Sequence, residues 1–135
     1  GIRLGMTFAS AEIIQILKKI KPPYNVNILT QQTAVHHITK YDSIKKEIDS
    51  ILDSKGYLYK VLVDVNFITK VFSSEANFIL ARVDNASLRY NQLLEKGIVV
   101  RNRSTQPLCE NTLRFTIGTA KENEQLITAL IAISK

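Results

Sequence analysis

From Val99 to Thr119 the chain reads VVRNRSTQPLCENTLRFTIGT. The pattern predicts two short strands joined by a polar, proline-containing loop. In the second strand Leu113, Phe115 and Ile117 alternate with Arg114 and Thr116. Successive strand residues face opposite ways, so the apolar set takes one face and Arg114 the other. In the first strand Val100 stands against Arg101 in the same manner. Laid side by side, the strands would bring Arg101 and Arg114 to one cleft. Two guanidiniums meeting there repel unless an anion sits between them, and arginine is suited to a bidentate grip on carboxylate or phosphate. The plainer alternative is two arginines covering the solvent face of a sheet, since charged residues are mostly exposed. Arg103 shares the parity of Arg101 but already lies in the loop, and reads as a structural or loop arginine.

The remaining elements follow from periodicity. Ile2–Phe8 reads as a short strand. Ser10 is a candidate helix cap, with Glu12 in the first turn favoured by the helix dipole. Ile13, Ile14, Leu17 and Ile20 recur at helical spacing, and Pro22-Pro23 ends that helix. Tyr24 and Asn25 lie in the bend. Asn25 or Asn27 can cap a second helix through Thr30–Ile38 or beyond. A third helix starts at Tyr41 or Asp42, with Ile44, Ile48, Ile51, Leu52, Tyr59 and Leu62 as its stripe. Gly56 interrupts that stripe at a cost of about 1 kcal/mol against alanine. Strands are expected over Ile68–Phe72 and Asn77–Val83. Asp84 and Asn85 offer a cap to a helix over Leu88–Lys96, stopped by Gly97. A strand over Ile98–Arg101 completes a strand–helix–strand crossover. A strand over Thr112–Gly118 follows. Thr119 and Glu122 match a capping box ahead of a final helix whose inner face is Leu126, Leu130 and Ile133. The fold class expected is α/β (α+β): helices on one side of a small mixed sheet, from about Asn66 onward, preceded by linking helices.

Several functions are disfavoured by composition. With 135 residues, 45% hydrophobic and 22% charged, the chain is long enough for one ordinary domain with a core. No apolar run is long enough for a bilayer, and residues 1–9 lack the pattern of a signal peptide. The first residue is glycine rather than methionine, which suggests a processed or truncated chain. The one cysteine, Cys109, excludes an internal disulfide and a cysteine-based metal site, and fits a reducing cytosol. No metal site is expected. His36 and His37, adjacent on a helix, point about 100° apart and do not easily share a ligand. The formal charge of +6 would suit nucleic acid or an anionic metabolite. The lysines are scattered, at Lys18, Lys19, Lys21, Lys40, Lys45 and Lys46, without interleaved aromatics. Solvated helix faces explain them better than a nucleic-acid surface, whose binding would weaken steeply with salt.

A resemblance covers most of the chain. GIVVRNRSTQP followed by LRFTIGT is similar to the C-terminal motif pair of histidinol-phosphate aminotransferase, a pyridoxal-phosphate (PLP) enzyme of the class I/II group. GIRLG, SAEII, KPPYNVN and SSEANFIL agree in the family's order. The likeness is weakest from Thr39 to Val65. It implies a C-terminal portion, with 1–38 closing the large cofactor-binding domain and connecting helices, and 39–135 forming the small domain. By the resemblance, Arg3 holds the cofactor phosphate, and Arg114 and Arg101 hold the substrate phosphate. Arg101 marks the histidinol-phosphate type. Tyr24 and Asn25 lie where the family approaches its dimer partner and the cofactor phosphate; a proline turn with a cap explains them equally well. Asn77 lines the site or bonds backbone at a strand start. The family's Schiff-base lysine would precede Gly1, with its aspartate further upstream, so no catalytic residue is assigned within the chain.

The parent so implied exchanges an amino group between L-histidinol phosphate and 2-oxoglutarate through PLP, in the cytoplasm, as a homodimer. The 135 residues alone are expected to be inactive, not to retain PLP, and to self-associate or carry mobile N-terminal segments. Rival readings are threonine-phosphate decarboxylase, a broad aromatic aminotransferase, and a stand-alone module capturing an anionic metabolite through Arg101 and Arg114.

Overall fold

Strand alternation fixes where the core lies in the computed structural model, which describes residues 2–134. Strands β1 (Ile68–Val71), β2 (Phe78–Val83), β3 (Arg101–Asn102) and β4 (Thr112–Thr116) form one sheet ordered β1-β2-β4-β3. In β2, Ile79, Ala81 and Val83 are buried, while Phe78, Leu80 and Arg82 are half-exposed on the other face. In β4, Leu113 and Phe115 are fully buried and Arg114 is half-exposed. Helices α4 (Ala86–Glu95) and α5 (Ala120–Ile133) supply Ala86, Leu93, Leu126, Ala129, Leu130 and Ile133 to the same core, at helical spacing. Leu58 and Leu62, late in α3 (Tyr41–Val63), join them with Val65 and Phe67. Fully burying one such side chain contributes about 1.5–3 kcal/mol. The helices cover one side of the sheet, as expected.

The sheet is not mixed: each of its pairings is antiparallel. The crossover through α4 does leave β2 and β3 parallel, since both run antiparallel to β4. But β4 inserts between them, so the parallel pair never shares a ladder. The strand expected over Ile98–Arg101 is also shorter, beginning at Arg101. Gly97, at φ +77°, ends α4 by donating its N–H to the Leu94 carbonyl, and Ile98 N–H donates to the Leu93 carbonyl. This paired ending is a Schellman motif and consumes the Ile98 donor a strand would have used.

After β4, Gly118 lets the chain turn closely into α5. A Cβ added there would come within 2.8 Å of the Glu122 Cβ. Buried Asn123 brackets Gly118, accepting from its N–H at 3.0 Å and donating to its carbonyl at 3.1 Å. Thr119 and Glu122 make the expected capping box. Those hydrogen bonds, first from the Thr119 N–H and then from its hydroxyl, hold the Glu122 carboxyl below its ordinary value.

The chain falls into two compact units, Gly1–Lys46 and Glu47–Lys135. The first contains α1 (Ala11–Ile20) and α2 (Ile28–Ile38). Ser10 sits at the N-cap of α1 without capping it, whereas the Asn27 side chain accepts from Thr30 N–H at 2.9 Å. Ile2–Phe8 forms no strand, contrary to expectation; Arg3 is at φ +58°. An extended segment becomes a strand only where a neighbouring strand takes its backbone groups; among the described residues only the Thr30 hydroxyl reaches this one, donating to the Ile2 carbonyl at 3.4 Å. Ile13, Leu17 and Ile20 of the predicted α1 stripe are exposed. In this unit Ala34 is the only buried residue among the described side chains.

In the second unit, the turn from β2 into α4 is tied to the end of α5 through Arg89. Its Nε and Nη2 donate to the Asp84 carboxylate at 3.0 and 2.7 Å, and its Nη1 donates to the Ile133 carbonyl at 2.9 Å. The guanidinium lies 4.3 Å over the Phe67 ring. The Arg89 hydrogen bonds hold the Asp84 carboxyl below its ordinary value of 3.8, outweighing partial burial. A carboxyl lowered in the folded state stabilises fully above its unfolded pKa and loses that contribution as pH falls through the lower folded value. Asp84→Asn should therefore cost about 1 kcal/mol at pH 7, the upper range for an exposed pair. The cost should vanish in strong acid, where the Asp84 carboxyl is neutral in the folded and unfolded states alike. Thermal melts of both proteins at neutral pH and below the folded pKa check this; a gap that persists in acid would refute it.

Candidate functional site

The β4 register decides the fate of the two arginines singled out above. Arg114 pairs directly with Leu80 of β2 on one side and with Arg101 of β3 on the other. Residues directly opposite in an antiparallel pair share a face, with Cβ atoms about 4.5–5.5 Å apart. Like charges placed so are destabilising. Arg101 is exposed and Arg114 half-buried, on the face that the helices leave open.

The surroundings of Arg114 differ from those of two other half-buried arginines, Arg82 and Arg89. Arg89 makes four side-chain hydrogen bonds, to Asp84, Gln92 and Ile133. Arg82 donates to the carbonyls of Glu110 and Leu108 at 3.1 and 3.2 Å, and lies 3.8 Å from the Glu110 carboxylate. Neither Arg114 nor Arg101 makes a side-chain hydrogen bond or ion pair among the described residues. The Arg114 Nε is buried with no acceptor, a state that costs about 1–3 kcal/mol. Its guanidinium carbon lies 5.0 Å over the Phe78 ring. Two adjacent forks with unspent donors can bind one multivalent oxyanion bidentately.

The loop from β3 to β4 is built to hold Arg101 beside Arg114. Asn102 Oδ1 accepts from Ser104 N–H at 3.0 Å, and Arg103 N–H donates to the Thr112 carbonyl at 2.9 Å. Leu108 and Asn111 take positive φ, at +62° and +52°. Arg82 fastens the far end through its two carbonyl partners. Half-buried Cys109 lies between these anchors, its carbonyl accepting from the Thr112 hydroxyl at 2.7 Å.

Of the other residues predicted from sequence, Arg3, Tyr24 and Asn25 belong to the first unit and all are exposed; Tyr24 is fully so, at φ +55°. Asn25 does not serve as the cap, because Asn27 does. Asn77, exposed before β2, accepts the Ile117 N–H at 2.9 Å through its backbone carbonyl. His36 and His37 are exposed, with ring centres 5.8 Å apart and planes at 85°. Sequence reasoning missed Phe78 and Arg82. Their signal was the alternation in NFILARV, which sets Phe78, Leu80 and Arg82 on one face; what it lacked was the strand that pairs with them.

The sequence pattern of the family Aminotransferase class I and II matches residues 1–130. The chain belongs to that family. The chain is 62% identical to histidinol-phosphate aminotransferase of Flavobacterium johnsoniae over 130 residues, covering 96% of this chain and 37% of that protein. It is 57% identical to the same enzyme of Christiangramia forsetii, covering 96% of this chain and 37% of the relative. Among solved structures it is similar to histidinol-phosphate aminotransferase of Clostridium acetobutylicum, with a TM-score of 0.78 and 28% identity over 91% of this chain and 38% of that one. The chain thus spans less than two-fifths of the length of these curated relatives. Among its described residues no helix is long and apolar enough to cross a membrane.

Proposed function

We propose that this chain is part of a PLP-dependent aminotransferase that moves an amino group between L-histidinol phosphate and 2-oxoglutarate, with glutamate as the other product, in histidine biosynthesis. The observation that carries the reading is the directly opposed pair Arg101 and Arg114, without acceptors among the described residues. Arg114 grips the substrate phosphate with the planar side of its fork. Arg101, exposed and one strand away, closes on the same group as a second arm. Together they offset the phosphate's charge and fix the distance from it to the amine. A neutral amine without phosphate would leave both forks facing each other, which gives the site its preference.

The residues present fit PLP in one respect. Arg3 is exposed and makes no side-chain hydrogen bond among the described residues, so its donors are available to a dianionic phosphate. When bound, PLP supplies the electron sink that lets an amino group and a proton change places. Tyr24 and Asn25, exposed in the turn after α1, lie at the edge of the same phosphate position or at a homodimer seam. Asn77 acts as a backbone anchor for β4 and lines the site beside it. The reactive lysine comes from the part of the polypeptide outside these 135 residues. Residues 1–38 complete a cofactor-binding domain and 39–135 act as the small domain, in a cytoplasmic enzyme.

The whole protein carrying this stretch should consume L-histidinol phosphate with 2-oxoglutarate as acceptor and form glutamate. The 135 residues alone, mixed with PLP, should show no cofactor absorbance that survives dialysis and no turnover. Amino transfer from unphosphorylated aromatic amines at equal efficiency would sink the assignment.

A further inference from the structure

The side chain of Phe78 carries nothing that reacts, yet it is what Arg114 rests on. The β2–β4 register sets Leu80 opposite Arg114 and Phe78 opposite Thr116. Phe78 is therefore the diagonal neighbour of Arg114 on the open face, within reach of a long side chain. Its half-buried ring centre lies 5.0 Å from the guanidinium carbon. The contrast with Arg89 is informative. That guanidinium also lies over a ring, Phe67 at 4.3 Å, but a bidentate carboxylate and a carbonyl already set its plane. Arg82 is set by two carbonyls. Among the described residues, Arg114 has no hydrogen-bonding partner of either kind, and its Nε is buried without an acceptor. A fork that grips an oxyanion bidentately must keep its plane before the anion arrives, or ordering the side chain weakens binding. Stacking on an aromatic face does this without using any N–H.

We propose that Phe78 is a positioning residue for the anion: its ring holds the Arg114 guanidinium in plane, so that the fork meets the substrate's phosphate with its donors free. The inference rests on the reading of Arg114 as the substrate arginine.

The test uses the whole enzyme with L-histidinol phosphate as donor. Phe78→Leu keeps an apolar side chain on the face and removes the π surface; Phe78→Tyr keeps that surface. Phe78→Leu should raise KM about fivefold, within the range for a partly desolvated cation–π contact, and leave kcat within about twofold. Phe78→Tyr should return KM to the parent value. In an Arg114→Gln background, which has no cation to stack, Phe78→Leu should add nothing further. If Arg114→Gln raises KM and Phe78→Leu does not, the positioning role falls while the reading of Arg114 stands. If Arg114→Gln leaves KM unchanged, the reading of Arg114 itself falls, and this inference with it. A lowered melting temperature with unchanged KM, or additive effects in the double variant, would make Phe78 a packing residue only and overturn the proposal.

Discussion

On the proposed function, Arg114→Ala in the whole protein is expected to lower kcat/KM for L-histidinol phosphate by about 10²–10⁴-fold. Each charge-assisted hydrogen bond is worth roughly 1.5–3 kcal/mol net, and a bidentate grip makes two of them. Each 1.36 kcal/mol is about a factor of ten. Most of the loss should fall on KM, because the proposed contact of Arg114 with the phosphate would be made in ground and transition states alike. Arg114→Lys should recover only part, since an ammonium is a point charge without the planar fork. Arg101→Ala should cost less, roughly tenfold, because Arg101 is exposed and its contact is screened by water. Steady-state kinetics on the three variants check the order. Equal losses at Arg101 and Arg114 would mean that the half-buried arginine has no privileged role, and an unchanged Arg114→Ala enzyme would remove the site.

Phe115→Ala should lower folding stability by about 3–5 kcal/mol, the range for deleting a buried aromatic ring. Phe115 is fully buried in β4, on the strand face opposite to its neighbour Arg114. It stands directly across from Ile79, which is equally inaccessible. The cavity would open beneath the strand that carries the proposed anion site, among Leu113, Leu130 and their neighbours. Domains are stable by only about 5–15 kcal/mol, so the variant should melt well below the parent. Denaturant unfolding gives the difference directly. A loss under about 1 kcal/mol would show that the core closes over the gap, and that β4 is not held by this side chain.

Much of the second unit was legible before any coordinates. Alternation along LRFTI assigned Leu113, Phe115 and Ile117 to the core, and all three are buried. The Thr119 and Glu122 spacing announced a capping box, and Gly97 a helix end; both are present. These are local signals, because the partners lie within a few residues of one another. The failures have the opposite character. A strand over Ile2–Phe8 was expected from its residue pattern, but a strand exists only if another strand pairs with it. A mixed sheet was expected from the crossover, but β4 stands between the strands the crossover makes parallel. The link from Arg89 to the end of α5 had no sequence signature, because the Ile133 carbonyl lies 44 residues away.

The site divides along the same line. That Arg101 and Arg114 leave the apolar side of their strands follows from parity alone, since a strand's side chains alternate whatever its neighbour is. That they stand directly opposite each other, that Phe78 lies under one of them, and that neither meets a carboxylate among the described residues are matters of register. Register is set by long-range pairing of β2, β3 and β4, where a shift of one residue would turn every side chain to the other face. Local order was written into the sequence as periodicity and capping; the encounter of the two charges was decided only by how the strands came together.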